Sequence, residues 1–231
     1  MDVLFKFVRE QTVPEQCNGE VLTFDPYTFF PVHPSLDTLV LKMTAEGLYS
    51  SSRRQGAKKL SEMLKRFCKH DPKTIVDGTA GIGTDALTLA LTFRHATVYA
   101  IENNPLTYAA LYQNSRCYNF PNLKVVKTDI MHFLNTTSEH IDILYIDAPW
   151  GGKEYKKNTC MNVYINKKLA LSDIVKHYHV MFKNCIIVFK VPINFCFDEF
   201  EHSVVHDTCL GVHKVPYKCR NVIKFWFYVC Q

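Results

Sequence analysis

The sequence predicts an α/β fold in which a mostly parallel sheet of seven strands carries helices on both faces, and three observations predict it. From Pro72 onward, short β-branched runs alternate with runs of helical periodicity, the pattern of parallel strands joined by crossover helices. The first of these strands runs straight into a glycine-spaced turn, and acidic residues stand where successive strands end. The 231 residues suffice for one such domain with a short appendage, and not for two full domains.

Residues 1–55 are expected to form the appendage, an N-terminal arm or lid, and residues 56–231 the domain. Pro14, Pro26, Pro31 and Pro34, with aromatics between them, interrupt regular elements up to about Tyr49, so little regular structure is expected there. From Gly56 to His70, Leu60, Met63, Leu64 and Phe67 recur at helical spacing and predict an amphipathic helix leading into Pro72. Strand Thr74–Val76, helix Thr84–Phe93, strand Thr97–Ile101, helix Pro105–Tyr118 and strands Lys124–Lys127 and Ile141–Ile146 follow. A helix near Leu169–Phe182 and a strand at Cys185–Val188 come next. Two last runs, Ser203–His206 and Val222–Val229, read as an antiparallel pair that completes the sheet. The chain has no internal repeat and no low-complexity tract.

Composition narrows the class. The hydrophobic share of 47% and charged share of 21% are those of a globular protein. No segment approaches the roughly 20 uninterrupted apolar residues that span a bilayer, so no membrane partner is expected. Met1–Arg9 lacks the long apolar core of a secretory signal. Cys17, Cys68, Cys117, Cys160, Cys185, Cys196, Cys209, Cys219 and Cys230 are scattered without a CxxC pair, which predicts reduced thiols in a cytoplasmic or nuclear protein without a metal. His177 and His179 diverge on a helix and lack a third ligand nearby. The net charge of +5 gives a weak pull toward phosphate-bearing partners.

The segment Asp77-Gly78-Thr79-Ala80-Gly81-Ile82-Gly83 is a strand end, a glycine turn and a helix start in sequence. Glycines there let backbone approach a ligand where a Cβ would collide. Asp77 would repel a phosphate and suits a cationic amino-acid moiety, which S-adenosylmethionine presents. Glu102, about 20 residues beyond the glycine turn, stands where such folds place the acid that accepts ribose hydroxyls. Asp129, after the third strand, either accepts from an adenine amino group or caps a helix. These residues predict a Rossmann-like class I methyltransferase fold with S-adenosylmethionine as cofactor, held by Asp77, Gly78, Thr79, Ala80, Gly81, Gly83, Glu102, Asp129 and Asp147.

Acceptor chemistry is expected at Asp147-Ala148-Pro149-Trp150-Gly151-Gly152, beyond the fourth strand. An exocyclic purine amine is a poor nucleophile because its lone pair is delocalised, so it must be aligned with the methyl group by acceptors for its protons. Asp147 and the Ala148 carbonyl supply these. Trp150 offers a face on which a cationic 7-methylguanine gains more than a neutral base.

On these motifs the chain resembles the trimethylguanosine synthase family, the cap guanine-N2 methyltransferases. The likeness rests on Glu46-Gly47-Leu48-Tyr49-Ser50, on Val76 to Gly83, and on Ala148-Pro149-Trp150-Gly151-Gly152 followed by Tyr155, and spans roughly Thr44 to Phe189. The short length is similar to that of compact or viral versions. The resemblance implies a 7-methylguanosine RNA cap as partner, Trp150 stacked on the methylated guanine, Asn114 in contact with the base, and the Ser50 segment closing over cofactor and cap phosphates. It also implies a basic residue near the fifth strand for those phosphates, for which Lys190 is the local candidate. Where the family carries serine or asparagine and two prolines, this chain has Asp147 and Ala148, closer to the motif of adenine amine methyltransferases.

Arg53, Arg54, Lys58 and Lys59 form one basic cluster, and Lys153, Lys156 and Lys157 another immediately after Trp150, where a triphosphate bridge needs cations. The leading expectation is a cap guanine-N2 methyltransferase. Its alternatives are an adenine-N6 or other amine methyltransferase acting on nucleic acid or protein, and a silent cap-binding subunit that keeps the fold. The motifs are silent on oligomeric state.

Overall fold

A computed structural model describes residues 11–13, 22–33, 40–166, 168–208, 211–219 and 222–231. Pro14, Cys17, Pro34, Cys209 and the side chain of Lys153 lie outside the described residues. The first segment carries more regular structure than its prolines predict. Strand β1 (Gln11–Val13) pairs antiparallel with β2 (Leu22–Phe24), and helices α1 (Pro26–Phe29) and α2 (Gly47–Ser50) follow. The reason is local. Pro26 occupies the first turn of α1, where its missing N–H is not needed. Asp25 caps that turn, accepting from Tyr27 N at 3.0 Å and Thr28 Oγ1 at 2.8 Å. Phe24, Phe29, Phe30, Leu41 and Met43 are buried against Ile82, Leu87, Ala110 and Tyr118, so this segment forms a layer of the core.

Helix α3 (Arg54–Phe67) then leads into β3 (Thr74–Asp77), α4 (Thr84–Thr92), β4 (Thr97–Glu102), α5 (Pro105–Tyr118), β5 (Leu123–Lys127), α6 (Ile130–Thr136) and β6 (Ile143–Ile146). A 3-10 turn at Gly152–Lys157 and a small antiparallel pair, β7 (Tyr164–Ile165) with β8 (Leu169–Ala170), precede α7 (Leu171–Met181) and β9 (Ile186–Val191). Helix α8 (Phe197–Thr208) and strands β10 (Val212–Cys219) and β11 (Val222–Cys230) end the chain. The main sheet has the order β10-β11-β9-β6-β3-β4-β5. Strand β11 runs antiparallel to both neighbours, and the remaining pairs are parallel. The seven-stranded, mostly parallel sheet read from the sequence is the sheet found.

Period-two alternation divides the sheet between two core layers. Val76, Leu144, Ile146, Ile187, Phe189 and Val191 point to the layer covered by α6, α7 and α8. Ile75, Ile143, Tyr145, Ile186 and Val188 point to the layer covered by α3 and α4 through Leu60, Leu64, Leu89 and Phe93. Strand β9 is buried at all six positions, Lys190 included, and its register places Lys190 on the α3/α4 face.

One strand assignment fails. Ser203–His206 lies inside α8, because Phe200 and Val204 sit one helical turn apart and both are buried in the core. The antiparallel partner of β11 is β10, in which Lys214, Pro216 and Lys218 alternate with Val215, Tyr217 and Cys219. Pro216 is tolerated because β10 forms the edge of the sheet. Cys160 and Cys196 also depart from the expectation of reduced thiols, since they form a disulfide. The loops carrying them are held backbone to backbone, with Met161 N donating to Asn194 O at 2.9 Å and Cys196 N to Met161 O at 3.0 Å.

Candidate active site

Strand β3 pairs with β4 on one side and β6 on the other, so successive connections leave in opposite directions and open a crevice at the carboxyl ends. The glycine turn lines it. Gly81 has φ +56° and a Cβ there would meet nothing within 4 Å, so this residue bends the backbone beside open space. Gly83 (φ +100°) serves packing instead, because a Cβ would come 2.8 Å from Leu111 Cδ1. Gly78 is equally confined, because a Cβ there would come 2.9 Å from the Ile130 side chain. Three amides of the turn have acceptors within the chain. Thr79 N donates to Asp77 Oδ1 at 3.3 Å, Ala80 N to Ile101 O at 2.9 Å and Gly81 N to Glu102 Oε2 at 3.0 Å. Glu102 Oε1 accepts from Asn104 N at 2.7 Å, so both its oxygens already brace the backbone and keep one lone pair each. Burial raises the Glu102 carboxyl above its usual value.

Beneath the crevice lies a connected set of buried charges. Asp77 is 1% exposed, and its Oδ2 has no hydrogen-bond partner. Burial first, and then the carboxylates of Asp85 and Asp147, push its carboxyl well above the ordinary range. Lys190, 4% exposed, donates to Asp147 Oδ2 at 2.5 Å and to Ser52 Oγ at 3.0 Å. Ser52 Oγ in turn donates to Asp85 Oδ2 at 2.7 Å, which also accepts from Tyr145 Oη at 3.2 Å. Burial opposes the charge on Lys190, but Asp147, Asp85 and Asp77 together outweigh it and raise its pKa. Burial lifts Asp147 to about 6, against the pull of Lys190. The backbone of Asp147 is fixed as well, its N donating to Thr79 Oγ1 at 2.8 Å.

Trp150 stands three residues beyond Asp147, half-buried against the core, with Nε1 donating to the Lys190 carbonyl at 3.3 Å. Tyr155 meets it edge to face at a centroid distance of 5.2 Å. Both rings line a cleft of about 480 Å³ together with Pro149, Gly151, Met161 and Tyr164, a volume suited to a small-molecule group. Ala148 is buried beside it. Gly151 and Gly152 take φ of +84° and +76°, the conformation that turns the chain away after the tryptophan.

Four of the expected contact residues are engaged within the chain. Asn114 is fully buried, accepts from Lys42 N at 2.7 Å and donates to Lys42 O and Ile82 O at 3.0 and 2.9 Å. It clamps the N-terminal segment to the glycine turn and has no donor left for a base. Asp129 caps α6 through Met131 N and His132 N and accepts from Asn166 Nδ2 at 2.7 Å. Lys190 is committed to Asp147 and Ser52 inside the core, so it is not a surface cation for cap phosphates. Ser50 turns its hydroxyl back onto Glu46 O at 2.8 Å. Arg53 is exposed with its guanidinium 4.4 Å from the Phe29 ring centroid, at the start of α3. Lys157 is paired with Glu154, and Lys156 lies 5.8 Å from the Tyr155 ring. Sequence reasoning missed Ser52, Asp85 and Tyr145. The signal for them was the lysine in the otherwise apolar run Ile186–Val191, which requires a buried counter-charge.

Comparison with known proteins bears on the family and the fold. A family model described as RNA cap guanine-N2 methyltransferase matches residues 72–229. "Uncharacterized protein L320" of Acanthamoeba polyphaga mimivirus is 28% identical over 130 residues, covering 54% of this chain and 48% of that protein. The tRNA1(Val) (adenine(37)-N6)-methyltransferase of Haemophilus influenzae is 25% identical over 126 residues, covering 54% and 49%. The chain thus spans about half the length of these curated relatives. Among solved structures, the precorrin-6y C5,15-methyltransferase of Geobacter metallireducens superposes with a TM-score of 0.59 at 14% identity, covering 87% of this chain and 98% of that one. The N-terminal domain of human METTL16 in complex with SAH superposes with a TM-score of 0.55 at 17% identity, covering 77% and 69%. At these identities the structural likeness establishes the class I Rossmann-like methyltransferase fold.

Proposed function

Because the chain belongs to the RNA cap guanine-N2 methyltransferase family, we propose that it methylates the exocyclic N2 amine of a 7-methylguanosine RNA cap, with S-adenosylmethionine as the donor. The observation that carries this reading is a tryptophan-walled cleft whose lining begins at Pro149, two residues past a partly buried, lysine-held carboxylate at the end of β6.

The residues fit the donor. The unpartnered buried Oδ2 of Asp77 favours a cationic group, Gly81 leaves open space beside its backbone, and Glu102 retains acceptor capacity at the end of β4. Asp77, Gly81 and Glu102 would hold it, together with the Thr79 and Ala80 backbone. When bound, S-adenosylmethionine supplies a methyl group on a sulfonium, and the bond to sulfur breaks as the amine lone pair forms the new bond to carbon.

The chain's own contribution is positioning and charge. Trp150, oriented by its hydrogen bond to the Lys190 carbonyl, stacks the methylated guanine, a contact worth on the order of 1–2 kcal/mol more for the cation than for neutral guanine. Asp147 Oδ2 is engaged by Lys190, and Oδ1 accepts a hydrogen bond from the N2 amine. As nitrogen attacks it gains positive charge, which the adjacent carboxylate stabilises, and it then passes a proton to Asp147. A carboxyl with a pKa of about 6 is ionised at neutral pH and close enough to it to exchange that proton readily.

The Asp147-Ala148 opening and the Haemophilus influenzae relative favour a second reading, an adenine-N6 amine as acceptor. Labelled-methyl transfer to 7-methylguanosine triphosphate, guanosine triphosphate and an adenine oligonucleotide separates the two. The cap reading expects transfer to the first and a preference over guanosine triphosphate that Trp150→Ala removes and Trp150→Phe partly keeps. Transfer to the adenine oligonucleotide alone overturns it.

A further inference from the structure

A second groove lies away from the cleft, between α3 and β10. It holds about 380 Å³ and is lined by Lys58, Lys59 and Glu62 from the helix and by Pro216, Tyr217 and Lys218 from the strand. Three lysines face a single glutamate there. The Lys58–Glu62 pair, at 3.9 Å, joins side chains that are 75% and 49% exposed, and such a pair holds its lysine only loosely.

The groove is joined to the cleft by aromatic rings. Phe225 lies 6.5 Å from Trp150 between centroids, and Tyr217 stacks on Phe225 at 4.6 Å with only 12° between the planes. Helix α3 stays close to this row, since a Cβ on Gly56 would sit 3.5 Å from Phe225 Cζ. A base stacked on Trp150 therefore sits at one end of a line of rings, and cations cluster at the other. Alternating stacking faces and positive charge are what a single-stranded nucleic acid requires, because every base has a π-face and every linkage a negative charge.

We propose that this groove binds the RNA chain that follows the cap, with Lys58, Lys59 and Lys218 on its phosphates and Tyr217 presenting a ring to a base. The proposal rests on the capped-RNA reading above and adds to it a second contact region that the cap nucleotide alone does not reach.

The test compares the wild-type protein with the triple variant Lys58→Gln, Lys59→Gln, Lys218→Gln, whose changes lie on exposed or half-exposed side chains and whose folding is checked by thermal melting. Binding of 7-methylguanosine triphosphate, a capped decanucleotide and the same decanucleotide without a cap is measured across a range of salt concentrations. The capped decanucleotide should bind wild type more tightly than the mononucleotide does. The triple variant should lose at least about 10-fold in affinity for both decanucleotides at low salt, with a salt slope shallower by about 2. Its affinity for 7-methylguanosine triphosphate should be unchanged. Equal effects on all three ligands, no effect on any, or displacement of the decanucleotide by an acidic peptide at equal charge concentration overturns the groove assignment. Failure of the cap reading looks different: wild type then shows no preference for the capped over the uncapped strand, while the lysine dependence of both persists.

Discussion

Replacing Lys190 by methionine is the sharpest perturbation of the buried charge network, because it removes the ammonium that bonds Asp147 Oδ2 at 2.5 Å while keeping an apolar stem of similar length. Asp147 already sits at about 6, raised by burial from an ordinary 3.8 even with Lys190 pulling it down. At about 1.36 kcal/mol per pH unit, that rise corresponds to roughly 3 kcal/mol disfavouring the carboxylate. Wild type nevertheless keeps it about tenfold in favour of the ionised form at pH 7. Without Lys190 only the raising influences remain, burial and Asp85, and the carboxyl moves above neutrality. The protonated acid no longer accepts from the amine or takes its proton. In methyl-transfer assays across pH 5 to 9, the acid limb of kcat should therefore move from about 6 in wild type to above 7. The rate at pH 7 should fall at least about 2-fold and recover as pH is raised. Stability has the opposite sign: a carboxyl with a raised folded-state pKa binds its proton more tightly when folded, so its contribution to stability grows as pH falls from about 6 toward 3.8. An acid limb that stays near 6 in a Lys190→Met protein melting like wild type refutes the positioning role.

Asn114→Ala should leave Lys42 N and Ile82 O without partners, costing on the order of 1–3 kcal/mol for each group left unsatisfied. The melting temperature should drop roughly 2–4 °C per kcal/mol, while the affinity ratio of methylated to unmethylated cap stays the same. A selective loss of cap binding with unchanged melting would restore the base contact to Asn114. Gly81→Ala should strain the backbone by about 1–2 kcal/mol, since φ is +56°, and place a methyl in the open space beside the turn. Calorimetry with S-adenosylhomocysteine should show weakened binding, and wild-type affinity would mean that the donor lies on another side of the turn.

The sheet was legible because its signal is periodic. β-branched strands separated by runs of helical periodicity leave few topologies, and α5 matches its expected bounds at both ends. The misreadings have physical causes. Val204 and Val205 look like strand residues in a short window, but Phe200 and Val204 pack as a helical face once α8 docks on the core. The N-terminal prolines were read as breakers, although Pro26 after Asp25 is a helix-start signal. At the site, Asp77, Gly81, Glu102, Asp147 and Trp150 converge because each stands at a strand end or in the turn following one. The partners of Asn114 and Lys190 are not legible because a sequence does not say which way a polar side chain faces on a mostly apolar element. Their partners are 72 and 43 residues away, respectively.

The hydrogen bond from Asp147 N to Thr79 Oγ1 links the glycine turn after β3 and the loop after β6, two motifs 68 residues apart. A change from Thr79 to valine would strand a partly buried amide at the reacting end of β6, at a cost on the order of 1–3 kcal/mol. The two motifs are thus not free to drift independently. A lineage that alters the loop after β6 inherits the requirement for a hydroxyl at position 79, because the amide it serves belongs to the backbone, and serine or threonine should persist there whatever side chain stands at 147.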